Sequence, residues 1–82
     1  MIIMKIQSAV AKLLNQLLVD EKISQYELAK RMATNQSTIK NIMHETYKSV
    51  NLETIIKIAD SFNITFQEFF NSEIFNRENL DV

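Results

Sequence analysis

The chain reads as an all-α domain of five helices. Three observations predict this fold class. Apolar residues recur at helical spacing in successive stretches, capping residues stand at the head of most of them, and no run alternates with the two-residue period of a strand. The 82 residues contain no glycine, proline or cysteine. A disulfide framework and Cys-based zinc sites are therefore excluded. Connections of two to eight residues suit a compact helical domain.

Taken in order, Ile6, Ala9, Val10, Leu13, Leu14, Leu17 and Leu18 follow an i, i+3, i+4, i+7 pattern and predict helix 1 from about Lys5 to Asp20. Its polar face holds only Lys5 and Lys12 as cations and no aromatic anchor, so the stripe reads as core rather than as a membrane surface. Ser24-Gln-Tyr-Glu27 is a capping box that opens helix 2, with Leu28, Ala29 and Met32 inward. The small Ala29 suits a close crossing with helix 3. Asn35 is positioned to cap helix 3, and Asn51 to start helix 4, whose inward residues are expected to be Leu52, Ile55, Ile56, Ala59 and Phe62. Thr65-Phe-Gln-Glu68 is a second capping box, opening a short helix 5 with Phe66, Phe69 and Phe70 available to the core.

After Phe70 the periodicity fades. Residues 1–72 are expected to form the folded domain and residues 73–82 an acidic tail. That tail either frays or packs Ile74, Phe75, Leu80 and Val82 against a second copy of the chain. The Met-Ile-Ile-Met start is too short for a signal peptide, and no apolar run approaches the roughly 18 residues that span a bilayer. A soluble cytoplasmic protein, not associated with membrane, is the expectation.

The net charge of −1 conceals a division. Residues 1–59 hold eight basic and five acidic side chains, and residues 60–82 hold five acidic ones against Arg77. One positive surface can persist on an acidic protein when charge is segregated this way. His44 has no carboxylate cluster around it, so no metal site is expected. Nothing resembles a nucleophile–base pair or a phosphate loop, so no enzymatic activity, cofactor or small-molecule ligand is expected either.

The segment SQYELAKRMATNQSTIKNIM, from Ser24 to Met43, carries the functional signal. Ile39, Ile42 and Met43 fall on one side of helix 3, while Gln36, Ser37, Lys40, Asn41 and His44 recur on the other. A rod with an apolar back and a front of amide, hydroxyl and ammonium groups is what insertion into the DNA major groove requires. Gln and Asn can bond bidentately to adenine N6 and N7, and Lys40 reaches either guanine O6/N7 or a phosphate. The alternative for each side chain is a solvated helix face, and His44 reads as a helix-end residue favoured by the dipole.

SQYELAKRMATNQSTIKNI and NLETIIKIADSFNITFQEFF resemble the lambda-repressor/Cro-type (XRE-like) helix-turn-helix family, over about Leu14 to Phe70. The resemblance implies a five-helix DNA-binding domain with its helix-turn-helix at helices 2 and 3. It also implies a recognition helix at about 35–44 and a homodimer on a two-fold operator in double-stranded DNA. By the same resemblance Gln36, Ser37 and Asn41, together with Lys40, contact bases. Gln25, at the head of helix 2, contacts a phosphate, with Asn35, Thr38 and Lys48 as further phosphate contacts. The implied function is a sequence-specific transcriptional regulator, a repressor. With the chain used up by this fold, control is expected from protein concentration or a separate partner. The alternative function is a protein-interaction module on the same fold, such as an antitoxin-like partner-binding protein.

Two departures from the family pattern bear on structure. Relatives place glycine in the turn between helices 2 and 3 and again after helix 3, where this chain has Ala33 and Glu45. A left-handed conformation at a residue with a Cβ costs on the order of 1–2 kcal/mol. Many relatives also pair an Arg on helix 1 with a Glu at the end of helix 3, at positions held here by Leu18 and Met43. With both partners apolar no charge is stranded, and the two side chains are expected to pack together.

Overall fold

Helix ends organise this chain. The computed structural model describes residues 3–45 and 51–81. It contains α1 (Ile6–Asp20), α2 (Gln25–Arg31), α3 (Gln36–Met43), α4 (Leu52–Ser61) and α5 (Phe66–Phe70), then two 3₁₀ turns at Glu73–Phe75 and Arg77–Asn79. Ser24, Asn35, Asn51 and Thr65 each accept a hydrogen bond from a free backbone N–H in the first turn of the helix that follows. At Thr65 the capping box is complete, with the Glu68 carboxylate accepting from the Thr65 N–H. At Ser24 only the hydroxyl half forms. The Glu27 carboxylate turns instead to Arg31, 3.4 Å away on the next turn, because an opposite charge at i+4 competes for it.

Helices α1 to α4 each end on a residue at positive φ: Lys22 (55°), Ala33 (54°), Glu45 (58°) and Asn63 (57°). In three of these ends the following N–H reaches back to close the last turn: Ile23 to the Leu18 carbonyl, Thr34 to Ala29 and Ile64 to Ala59. Ile23 and Ile64 then pack on the core, the apolar contact that accompanies this cap. Ala33 and Glu45 thus do adopt the left-handed backbone in which relatives use glycine. The turn between α2 and α3 is strained rather than rerouted.

The core is drawn from all five helices. Val10 and Leu14 of α1, Leu28 of α2, Ile39 of α3, Ile55 and Ile58 of α4 and Phe69 of α5 are fully buried. α3 lies against both α1 and α2, and α2 also meets α4. Ala29, nearly buried on α2, permits the close crossing with α3. Leu18 is in this core and Met43 packs on it from the end of α3, so the two apolar positions share one cluster. Arg31 joins α2 to α4 by donating to the Ser61 carbonyl at 3.1 Å, a cation placed at the negative end of a helix.

The buried face of α4 differs from the expectation. Leu52 and Ile56 are 63% and 45% exposed, whereas Ile58 is fully buried beside Ile55, Ala59 and Phe62. The segment LETIIKIADSF holds two overlapping apolar sets, 52-55-56-59 and 55-58-59-62. Ile55, Ala59 and Phe62 are common to the expected and the observed face, and the outcome turns on Ile58, which enters the core cluster while Leu52 and Ile56 face outward.

Residues 73–81 lie on their own domain. Ile74 and Phe75 pack on the core, and the Phe75 ring sits 4.8 Å from Phe70 and 5.9 Å from Phe69. Beyond them Met4 and Leu80 form a parallel bridge: the Met4 N–H donates to the Asn79 carbonyl and the Asp81 N–H to the Met4 carbonyl, both at 2.8 Å. Among the described residues no helix is long and apolar enough to cross a membrane.

Two stability outcomes follow from these features. Ala33→Gly relieves left-handed strain but adds unfolded-chain entropy, for a net gain of about 0.5–1 kcal/mol. That raises Tm by about 3–6 °C for a domain of this size. Asn63→Gly changes Tm far less, since Asn tolerates this conformation; equal shifts in thermal melts would contradict the assignment. Leu18→Arg places an unpaired charge in the core and costs on the order of 3–5 kcal/mol in urea denaturation. Leu18→Met, which conserves volume, costs less than about 1.5 kcal/mol.

Candidate nucleic-acid interface

Helix α3 has two chemically distinct sides because its register against the core is fixed. Ile39 is 0% and Ile42 3% exposed, so rotation about the helix axis would lift both into water. Burying two such side chains contributes roughly 3–6 kcal/mol. With that face turned in, Gln36, Ser37 and Lys40 are exposed on the opposite side. Asn41 is half-buried at the flank, and His44, the C-cap residue, is exposed.

The start of α3 is held by one side chain. The Asn35 carbonyl oxygen accepts from the Thr38 N–H and the Thr38 hydroxyl, each at 3.0 Å, and from the Ser37 hydroxyl at 2.6 Å. The Thr34 hydroxyl donates in turn to the Thr38 hydroxyl at 3.2 Å. This network joins the turn to the first residues of α3. It also occupies groups that the sequence assigned to phosphate contact. Thr38 is half-buried with its hydroxyl engaged inside the turn, and the Asn35 oxygen is saturated, leaving its amide nitrogen outside the cap. Ser37 keeps hydroxyl lone pairs for a donor from outside.

Gln25 is half-buried in the first turn of α2, and Lys48 lies outside the described residues. Beside Gln25 the structure exposes Tyr26, 64% accessible, a phenolic donor that sequence reasoning passed over. No signal in the sequence separates it from a core aromatic. The basic residues also divide in a way the sequence did not show. Arg31 is committed to Glu27 and the α4 carboxyl end, and Lys57 pairs with Glu53 at 3.5 Å. Lys30 and Lys40 stand exposed on α2 and α3.

A short helix, a four-residue turn and a second helix with a hydrophilic outer face constitute a helix-turn-helix. A family model for the Cro/C1-type helix-turn-helix DNA-binding domain matches residues 13–73, well over half of the chain. The chain belongs to that family, and its all-α fold is of the lambda-repressor type. Among solved structures it is similar to the crystal structure of an HTH_3 family transcriptional regulator from Vibrio cholerae, with a TM-score of 0.74 and 22% identity. The match covers 84% of this chain and 38% of that one, so this chain spans less than half the regulator's length. No curated protein matches.

Removing the cap at the head of α3 tests the local construction. Asn35→Ala is expected to cost about 1 kcal/mol of stability. Asn35→Asp, which keeps the accepting oxygen, is expected to lie within a few tenths of the parent. Thermal denaturation followed by circular dichroism distinguishes the two, and equal losses would count against the Asn35 network.

Proposed function

We propose that this chain is a sequence-specific transcriptional regulator, a repressor, that binds a two-fold DNA operator as a homodimer in the cytoplasm. Residues 35–44 occupy the major groove. The observation that carries this reading is the exposed Gln36, Ser37 and Lys40 face on a helix pinned from behind by Ile39 and Ile42. Gln36 and Asn41 suit adenine, Ser37 suits any base edge, and Lys40 takes guanine or a phosphate. Gln25 and Tyr26 on α2 supply phosphate donors, with Asn35 offering its amide nitrogen, Thr38 flanking it, and Lys48 completing the set.

Dimerisation is part of the proposal because one helix-turn-helix makes few base contacts, and useful specificity comes from two half-sites about 34 Å apart. The domain measures 34 × 24 × 22 Å. Two copies in successive grooves on one face of DNA are therefore close enough to touch. Occupancy of a promoter by such a dimer excludes other proteins from the same grooves, which is repression by position alone.

Selection from random-sequence DNA, followed by footprinting of the enriched site, tests the reading directly. A two-fold footprint with half-sites one turn apart supports it, and absence of any sequence enrichment would falsify it. Gln36→Ala is expected to lose preference at one base pair of each half-site, about 1–3 kcal/mol, with non-specific binding unchanged. Lys40→Ala assigns its own role. A slope in log K against log[salt] shallower by about 1.8, two contacts per dimer at about 0.9 each, marks a phosphate contact, and relaxed base preference marks a guanine.

A further inference from the structure

Helix α3 is a short rod whose angle matters. Eight residues at about 1.5 Å each make it ~12 Å long. A tilt of about 10° about its apolar anchor moves an end ~6 Å away by ~1 Å. A base-edge hydrogen bond tolerates only about 0.5 Å of donor–acceptor variation. The head of the rod is tied by the Asn35 network and its middle by Ile39 and Ile42.

The other end is tied by a bond that spans 37 positions of sequence. The hydroxyl of Ser8, in the first turn of α1, donates to the carboxylate of Glu45. Glu45 stands at φ 58°, and its N–H closes the end of α3 on the Ile42 carbonyl at 3.2 Å. A conformation that favours glycine is thus occupied by a residue whose side chain reaches across to another helix. Ser8 is itself on a held segment, since Met4 is bonded on both its N–H and its C=O to residues 79 and 81. The tie therefore runs from an anchored helix start to the exit of the recognition helix.

We infer that Ser8 and Glu45 are a positioning pair that fixes the angle of α3 and so sets sequence discrimination without touching DNA. The inference rests on the DNA-binding reading for its consequence, but the tie itself can be measured without DNA. Ser8→Ala removes the donor with no change of charge, and Ser8→Thr keeps it. In the DNA-free protein, Ser8→Ala is expected to speed hydrogen exchange at the His44 and Glu45 amides about five-fold, the order for the net effect of one ordinary protein hydrogen bond, since this pair is open to solvent. Exchange at the buried Leu14 and Leu28 stays unchanged.

On DNA, Ser8→Ala lowers the ratio of affinities for the selected site and a scrambled duplex about five-fold, leaves scrambled binding and the salt slope as they were, and Ser8→Thr behaves as the parent. Exchange at His44 and Glu45 unchanged by Ser8→Ala overturns the pair. So does a uniform rise in exchange with both affinities falling together, which is general destabilisation. A parent protein with no sequence preference defeats the functional reading instead, and the exchange measurement still decides whether the tie exists.

Discussion

Burial of Ile39 and Ile42 is the constraint on which the rest depends. An eight-residue helix is too short to be stable in water by itself. α3 exists because those two side chains are buried in a core cluster shared with α1 and α2, against both of which the helix packs. Their burial also chooses which residues face solvent. Exchanging the two faces would cost the whole transfer free energy and would bury Gln36 and Lys40 without partners. Stability of the domain and orientation of the polar face of α3 are therefore one quantity. A mutation that loosens the core under α3 is expected to act on recognition as well.

The absence of glycine shapes the remainder. Four helix ends use the left-handed backbone, and each carries a side chain there. Lys22 projects a charge into solvent, Asn63 is a residue that tolerates the conformation, and Glu45 reaches Ser8. At Ala33 no side-chain contact explains the choice. Ala33 nevertheless sits in the turn whose shape sets the angle between α2 and α3, and a rigid turn narrows that angle more than a glycine would. The chain gives up a little stability at these ends and gains fixed corners.

Much of this was legible in the residues, for physical reasons that also explain the misses. Caps are local, so Ser24, Asn35, Asn51 and Thr65 could be read within four residues of where they act. The stripe of α1 and the two faces of α3 are periodic and equally readable. α4 failed in part because Leu52, Ile55, Ile56, Ile58 and Ala59 satisfy two registers, and only tertiary packing against the rest of the core selects one. Glu27 was assigned to Ser24 and went to Arg31, a competition between two partners at similar distance in sequence. The Arg31–Ser61 and Ser8–Glu45 bonds join residues 30 and 37 positions apart and have no periodic signature at all. For the interface, residue type told which side chains can read bases. It did not tell that Thr38 would spend its hydroxyl inside the turn or that Tyr26 would stand outside.

The bridge between Met4 and Leu80 has an architectural consequence. The two ends of the fold are backbone neighbours, so polypeptide joined before the one and after the other would enter and leave the globule at a single point. Such a unit can be threaded into a host sequence as a self-contained bead on one stalk. It can equally be re-cut elsewhere once its ends are spliced, with α3 undisturbed by either operation.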